Sequence, residues 1–244
     1  RLQGDWSSDV CSSDLLPAAA ESAIVARDLE VVEWTGARYH VAHVSAARTV
    51  ALLRDARRRG LPVTAEVTPH HLTMTEEACA SYDPLTKVTP PLRSPADRAA
   101  LIDALCDGTI DAIATDHAPE GLTDKELELE AAAPGMIGLE TALALVLGLA
   151  RDGLVPERRV IEALTIGPAR AFALGGEGEG PGIIGPGVVG DLCIYDPART
   201  WTVSPGELSS KAKNTPLLGT TLTGRCVMTL VGGRVVHDRD GRLT

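Results

Sequence analysis

Three short stretches of the 244-residue chain carry side chains that bind metal ions: HVAHVS with His43, the run Thr68-Pro69-His70-His71, and IDAIATDHAPE with Asp116 and His117. Imidazole nitrogen and carboxylate oxygen are the donors that Zn²⁺ accepts, so a metal site is the most economical use for such a set if the fold gathers it. Taken alone, Asp116 has a plainer reading: a strand leaves the core there and the acid caps the next turn. A tandem pair such as His70 and His71 cannot point both rings inward from a strand, so at least one packs or supports rather than ligates. Strand alternation sets His40 on the opposite face from His43, as a structural residue, and His237 reads as a surface residue.

The elements around these residues decide whether they meet. Ile24, Val25, Leu29 and Val32 have the spacing of one helix face between Pro17 and Trp34. ARYHVAHVS reads as a strand, Arg48 to Arg59 as an amphipathic helix closed by Gly60, and VTAEVTPHH as a second strand from Val63. Prolines forbid regular structure through YDPLTKVTPPLR. Ser94 followed by Pro95 opens a helix expected to reach Asp107, and IDAIATD is a third strand. Further helices are expected over Gly138 to Asp152 and Pro156 to Leu174. Strands alternating with helices imply an α/β fold with a parallel sheet, whose strands all end at one edge. His43, the Thr68–His71 turn and Asp116-His117 all fall at that edge, where α/β barrels build their sites.

Composition excludes several functions. A net charge of −10 argues against sequence-independent nucleic-acid binding, which needs clustered Lys and Arg. Aromatics make up 3% of the chain, so Ala, Val, Leu and Ile must fill the core. Five cysteines, odd in number and without C-x-x-C spacing, fit a reducing, cytoplasmic compartment better than a disulfide framework. The most apolar run, TALALVLGLA, is too short to span a bilayer and reads as a core helix.

Residues 1–15 show no helix or strand period, and DWSSDVCSSDL resembles the translation of a sequencing-library adapter. They are expected to be a non-native or disordered head. Near the other end, GGEGEGPGIIGPGVVG marks a boundary and follows no phosphate-loop spacing. VVGDLCIYDP and CVMTLVGGRVVHD then read as short strands, the second a hairpin turning at Gly232-Gly233.

YHVAHVSA, VTAEVTPHHLTMT, TKVTPPLRS, ATDHAPEGLTDK and APGMIGLET together resemble the second half of a dihydroorotase of the zinc-dependent amidohydrolase superfamily. The HVS triplet is shared with hydantoinases and allantoinases, whereas TPHHL, PPLR and TDHAP with Lys125 are more specific to dihydroorotases. The resemblance implies that residues 16–176 are the last three strands of a (β/α)8 TIM-type barrel and residues 177–244 part of a small β-sandwich, with KAKNTPLLG returning across the barrel. It implies a binuclear Zn²⁺ centre with His43 and Asp116 as ligands, Asp116 also acting as general acid/base on a metal-activated hydroxide. Pro134 and Gly135 fall in the loop whose backbone holds the substrate. The implied reaction is the reversible cyclisation of N-carbamoyl-L-aspartate to L-dihydroorotate in pyrimidine biosynthesis. Implied partners are that small molecule, a second copy of the chain, or aspartate carbamoyltransferase, with no nucleic acid and no membrane.

Two positions depart from the family: Thr89 stands where Asn usually precedes PPLR, and Glu120 where His usually follows DHAP. The other metal ligands of the family precede the region matched here, so this chain is expected to be inactive alone. A hydantoinase or allantoinase, and a non-catalytic subunit supporting aspartate carbamoyltransferase, are the alternative readings.

Overall fold

The structure, a computed structural model, describes residues 16–175 and 180–241. The expectation for residues 1–15, and part of the glycine-rich boundary, lie outside the described residues.

Helix α1 (Ala18–Thr35) buries Val25, Leu29 and Val32 and ends on Gly36, whose left-handed backbone lets its N–H reach Val32 O. Strand β1 (Tyr39–Val41) is followed by α2 (Ala47–Arg58), and β2 (Val63–Val67) by the short helix α3 (Pro69–Thr73). The run from Met74 to Arg93 carries only two single-turn 3-10 helices, Glu76–Cys79 and Pro84–Thr86, as its prolines require. Helix α4 (Pro95–Cys106) begins where Ser94 predicts: Ser94 Oγ accepts the Asp97 N–H at 3.2 Å. Strand β3 (Ala112–Ile113), α5 (Leu122–Lys125) and α6 (Ala142–Arg151) follow.

Where one helix was expected up to Leu174, two form: α7 (Glu157–Leu164) and α8 (Ile166–Ala171). The chain breaks stride at Thr165, and Gly167 beyond it lies against β3; a Cβ there would sit 2.3 Å from Asp111 O. Pro168 has no N–H to offer the Leu164 carbonyl, so one continuous helix cannot run through this point.

Strands β1, β2 and β3 form a parallel sheet in that order, with Val41 opposite Ala65 and Val67 opposite Ile113. Helices α1, α2, α4, α6 and α7 cover it, and their Val, Leu and Ala side chains make one core with the strands. Paired strand is shorter than the apolar runs suggested, because the chain leaves β1 at Ala42 and β3 at Ala114.

Strands β4 (Leu192–Thr202), β5 (Thr221–Val231) and β6 (Arg234–Asp238) form a separate antiparallel sheet. The turn falls on Gly232-Gly233, both at positive φ, as the hairpin signal predicts. β4 and β5 are longer than the short strands expected, because register shifts after Ile194 and Asp196 let the pairing continue past irregular points. α6 lies against β5, and Ala144 shares a second apolar cluster with Trp201, Val203 and Leu222. No helix among the described residues is long and apolar enough to cross a membrane.

Candidate metal centre

The three parallel strands end side by side, and the chain turns sharply at two of those ends. His43 and Asp116 both adopt left-handed backbone conformations, with φ of 53° and 47°. Each costs about 1–3 kcal/mol in a non-glycine residue and persists only where the surroundings enforce it.

At His43 the enforcing groups are visible. Val44 N–H continues the ladder to Glu66 O at 3.0 Å, and the Glu21 carboxylate accepts the Ser45 and Ala46 N–H groups, each at 3.2 Å. Buried Arg93 donates from Nε to Ser45 Oγ at 3.0 Å. The Asp116 turn is held by Ala114 N–H on Val67 O at 3.0 Å. Gly138 crowds the same turn, where a Cβ would lie 2.9 Å from Thr115 O.

These turns bring His43 Nε2 to 3.6 Å from Asp116 Oδ1. Two ligand bonds of about 2.0–2.2 Å span at most about 4 Å, so a cation fits between these atoms. On the other side of the ring, His43 Nδ1 lies 3.0 Å from Glu66 Oε1, while His40 Nε2 lies 3.2 Å from Glu66 Oε2. Neither N–H points squarely at its oxygen, so these are contacts of hydrogen-bond length rather than linear hydrogen bonds. His40 Nδ1 meets Thr64 Oγ1 at 2.8 Å.

His40 and His43 therefore reach one carboxylate, contrary to the opposite faces expected of them. Strand alternation stops at Val41, and the left-handed turn at His43 swings its ring back toward β2. No motif in the sequence marks Glu66. Its signal was a carboxylate between Ala65 and Val67 in a strand of a covered parallel sheet, where an acid needs partners.

The electrostatics follow from this geometry. The Glu66 contact raises the His43 pKa; burial opposes the rise, and Asp116 adds to it. Burial works to raise the Glu66 pKa, but His40 and His43 outweigh it and bring it down to about 2.

The remaining histidines separate by role. The N–H at His71 Nε2 faces the carbonyls of Pro90 at 3.0 Å and Pro91 at 3.2 Å, which leaves Nδ1 to accept from Thr68 Oγ1 at 2.7 Å. His71 therefore secures the PPLR loop, and burial pushes its pKa down to about 4. His70 is buried, with 3% exposure, and its Nε2 has no hydrogen-bond partner among the described residues. Burial, with His71 and His43 nearby, holds its pKa well below the ordinary imidazole value. His117 Nδ1 accepts the N–H groups of Gly138 at 3.1 Å and Leu139 at 3.4 Å, so it braces the loop ahead of α6. His237 is exposed on β6, as expected.

Pro134 is exposed and Gly135 buried in a loop beside Asp116: His117 pairs with Met136 in an isolated bridge. Gly135 N–H is committed to Lys87 O at 2.8 Å. Thr89 precedes a cis peptide bond to Pro90. Among the described residues no group of three or more His, Cys, Asp or Glu side chains is arranged to hold a metal ion. His43 and Asp116 are thus two donors at a separation that one cation can bridge.

The dihydroorotase of Anaeromyxobacter dehalogenans (strain 2CP-1 / ATCC BAA-258) is 51% identical over 227 residues, covering 92% of this chain and 51% of the relative. That of Syntrophus aciditrophicus (strain SB) is 48% identical over 225 residues, covering 92% and 52%. The solved structure of L-hydantoinase (dihydropyrimidinase) from Arthrobacter aurescens matches with a TM-score of 0.85 at 30% identity, over 91% of this chain and 50% of that one. The chain spans about half the length of these relatives. A model described as the amidohydrolase family matches residues 19–236, through both sheets and the edge where His43 and Asp116 meet, and the chain belongs to that family.

Proposed function

We propose that this chain is the C-terminal part of a dihydroorotase, interconverting N-carbamoyl-L-aspartate and L-dihydroorotate in the cytoplasm. The observation that carries the proposal is the approach of His43 Nε2 to Asp116 Oδ1 at a shared strand edge, in a chain 51% identical to a relative so named. Residues 16–176 are read as the last three strands of a (β/α)8 barrel with their helices, and residues 177–244 as part of a β-sandwich.

His43, through Nε2, and Asp116 would hold zinc, and the other ligands of a binuclear centre would come from the portion of the relatives that this chain does not span. When bound, the metal supplies a Lewis acid that polarises the amide carbonyl and lowers the pKa of water toward neutrality. Glu66 beside Nδ1 keeps a proton on that nitrogen, which leaves the Nε2 lone pair for the cation. In the ring-opening direction Asp116 takes the proton of the attacking water and returns it to the ring nitrogen as the C–N bond breaks; ring closure runs these steps backward. The Pro134–Gly135 loop borders the substrate. With two ligands only, the 244 residues alone would hold the centre weakly and turn over little.

The likeness to L-hydantoinase favours a second reading, a cyclic amidase of hydantoins or dihydropyrimidines. One experiment separates the two: a chimera in which this chain replaces the matching half of the Anaeromyxobacter dehalogenans relative, assayed with dihydroorotate, hydantoin and dihydrouracil. Preference for dihydroorotate is expected. Preference for hydantoin or dihydrouracil would establish the second reading, and a folded chimera inert to all three would refute both.

A further inference from the structure

Asn214 lies in the irregular return between β4 and β5, far along the chain from the strand edge, yet its side chain ends among the site loops. It is 5% exposed. Nδ2 donates to Ala118 O at 2.9 Å and to Gly135 O at 3.2 Å, and Oδ1 accepts the Glu120 N–H at 3.1 Å. Its backbone carbonyl accepts the Ile137 N–H at 3.0 Å. One residue thus grips two irregular segments: the loop leaving Asp116 and the loop through Gly135.

Those loops touch closely. Ala118 N–H donates to Met136 O at 3.0 Å, and a Cβ on Gly135, whose φ is 130°, would lie 2.7 Å from the Ala118 Cβ. The loops stay apart by a fixed distance only while their peptide planes keep their orientations, since neither is part of a helix or a strand ladder. The Pro134–Gly135 peptide is anchored by the Gly135 N–H on Lys87 O, and the Asn214 amide holds the next peptide through the Gly135 carbonyl.

The chemistry singles out asparagine. Two carbonyls need donors and one N–H needs an acceptor at a single buried point. An ionised Asp of the same shape accepts only and would set a negative charge against both carbonyls, and an apolar side chain would leave three backbone groups unpaired.

We propose that Asn214 is a positioning residue: it fixes the carbonyls of Ala118 and Gly135, and so the separation between the loop that carries Asp116 and the loop that borders the substrate. This rests on the functional reading above. A merely structural asparagine would lower stability and leave the kinetics of the folded protein alone; a positioning one shifts KM.

The test uses the chimera, with Asn214→Asp and, in case that variant does not fold, the smaller Asn214→Ser. KM and kcat are measured together with hydrogen–deuterium exchange of the peptide spanning residues 117–122. Expected are a KM raised tenfold or more, a smaller fall in kcat, and exchange at least tenfold faster at residues 117–122. Folded variants with KM within twofold of the parent, or with unchanged exchange, overturn the proposal. A parent chimera that converts no substrate defeats the functional reading instead, and exchange alone then decides whether Asn214 holds the loops.

Discussion

His43 Nε2 stands 3.6 Å from Asp116 Oδ1, and both residues occupy left-handed backbone conformations at the ends of different strands. The two strained turns stand at the ends of the outer strands β1 and β3, either side of β2, and each is costly in a non-glycine residue. Each is enforced by neighbouring groups: Glu21 and Arg93 behind His43, Gly138 pressed against the turn at Asp116.

Asp116→Asn keeps the shape and a donor oxygen but removes the base. In the chimera, kcat for dihydroorotate should fall about 10²–10⁴-fold while the zinc content holds. Unchanged turnover would remove Asp116 from proton transfer.

Glu66→Gln keeps the volume and removes the charge that two imidazoles share. Zinc affinity, measured by competition with a chromophoric chelator, should weaken about 10–100-fold with the melting curve still cooperative. An affinity equal to the parent's would make Glu66 a packing residue.

Acid should unfold the chain in a predictable window. The His71 pKa falls from 6.5 unfolded to about 4 folded, so its stabilisation is whole above pH 6.5 and drains as the pH falls to about 4. That amounts to on the order of 3 kcal/mol. The depressed pKa of Glu66 adds a loss between pH 4.5 and about 2, whereas the raised pKa of His43 stabilises below pH 6.5 and works against the trend. Urea midpoints should drop between pH 7 and pH 4.5, less steeply in His71→Gln; a midpoint that rises on acidification contradicts this.

Ser94 caps α4 and donates its hydroxyl to Asp97 Oδ2 at 2.6 Å, while Asp97 Oδ1 accepts the Ala47 N–H at 2.8 Å from the start of α2. Ser94→Ala should cost about 1 kcal/mol in a denaturant titration, with turnover of the chimera unchanged. A cost near zero would mean that Asp97 alone satisfies the helix end.

The parts of the fold written in local chemistry were legible in the sequence. Ser94-Pro95 marks a helix start, Gly232-Gly233 a hairpin, and alternating strands and helices a parallel sheet whose ends carry His43 and Asp116. Features that depend on a residue breaking its local pattern were not legible. Period-two alternation separates His40 from His43 until the left-handed turn reunites them on Glu66, and Asn214 has no pattern at all, because its role exists only where distant loops touch. The division of α7 from α8 falls where Pro168 has no N–H for the Leu164 carbonyl, a break that the Gly167-Pro168 pair marks and helical periodicity alone passes over.

The most direct measurement is an anomalous-difference map at the zinc absorption edge from crystals of the zinc-loaded chimera. A peak is expected about 2.0–2.2 Å from both His43 Nε2 and an Asp116 carboxylate oxygen. A zinc peak bonded to neither residue, or to one with the other turned away, would contradict it.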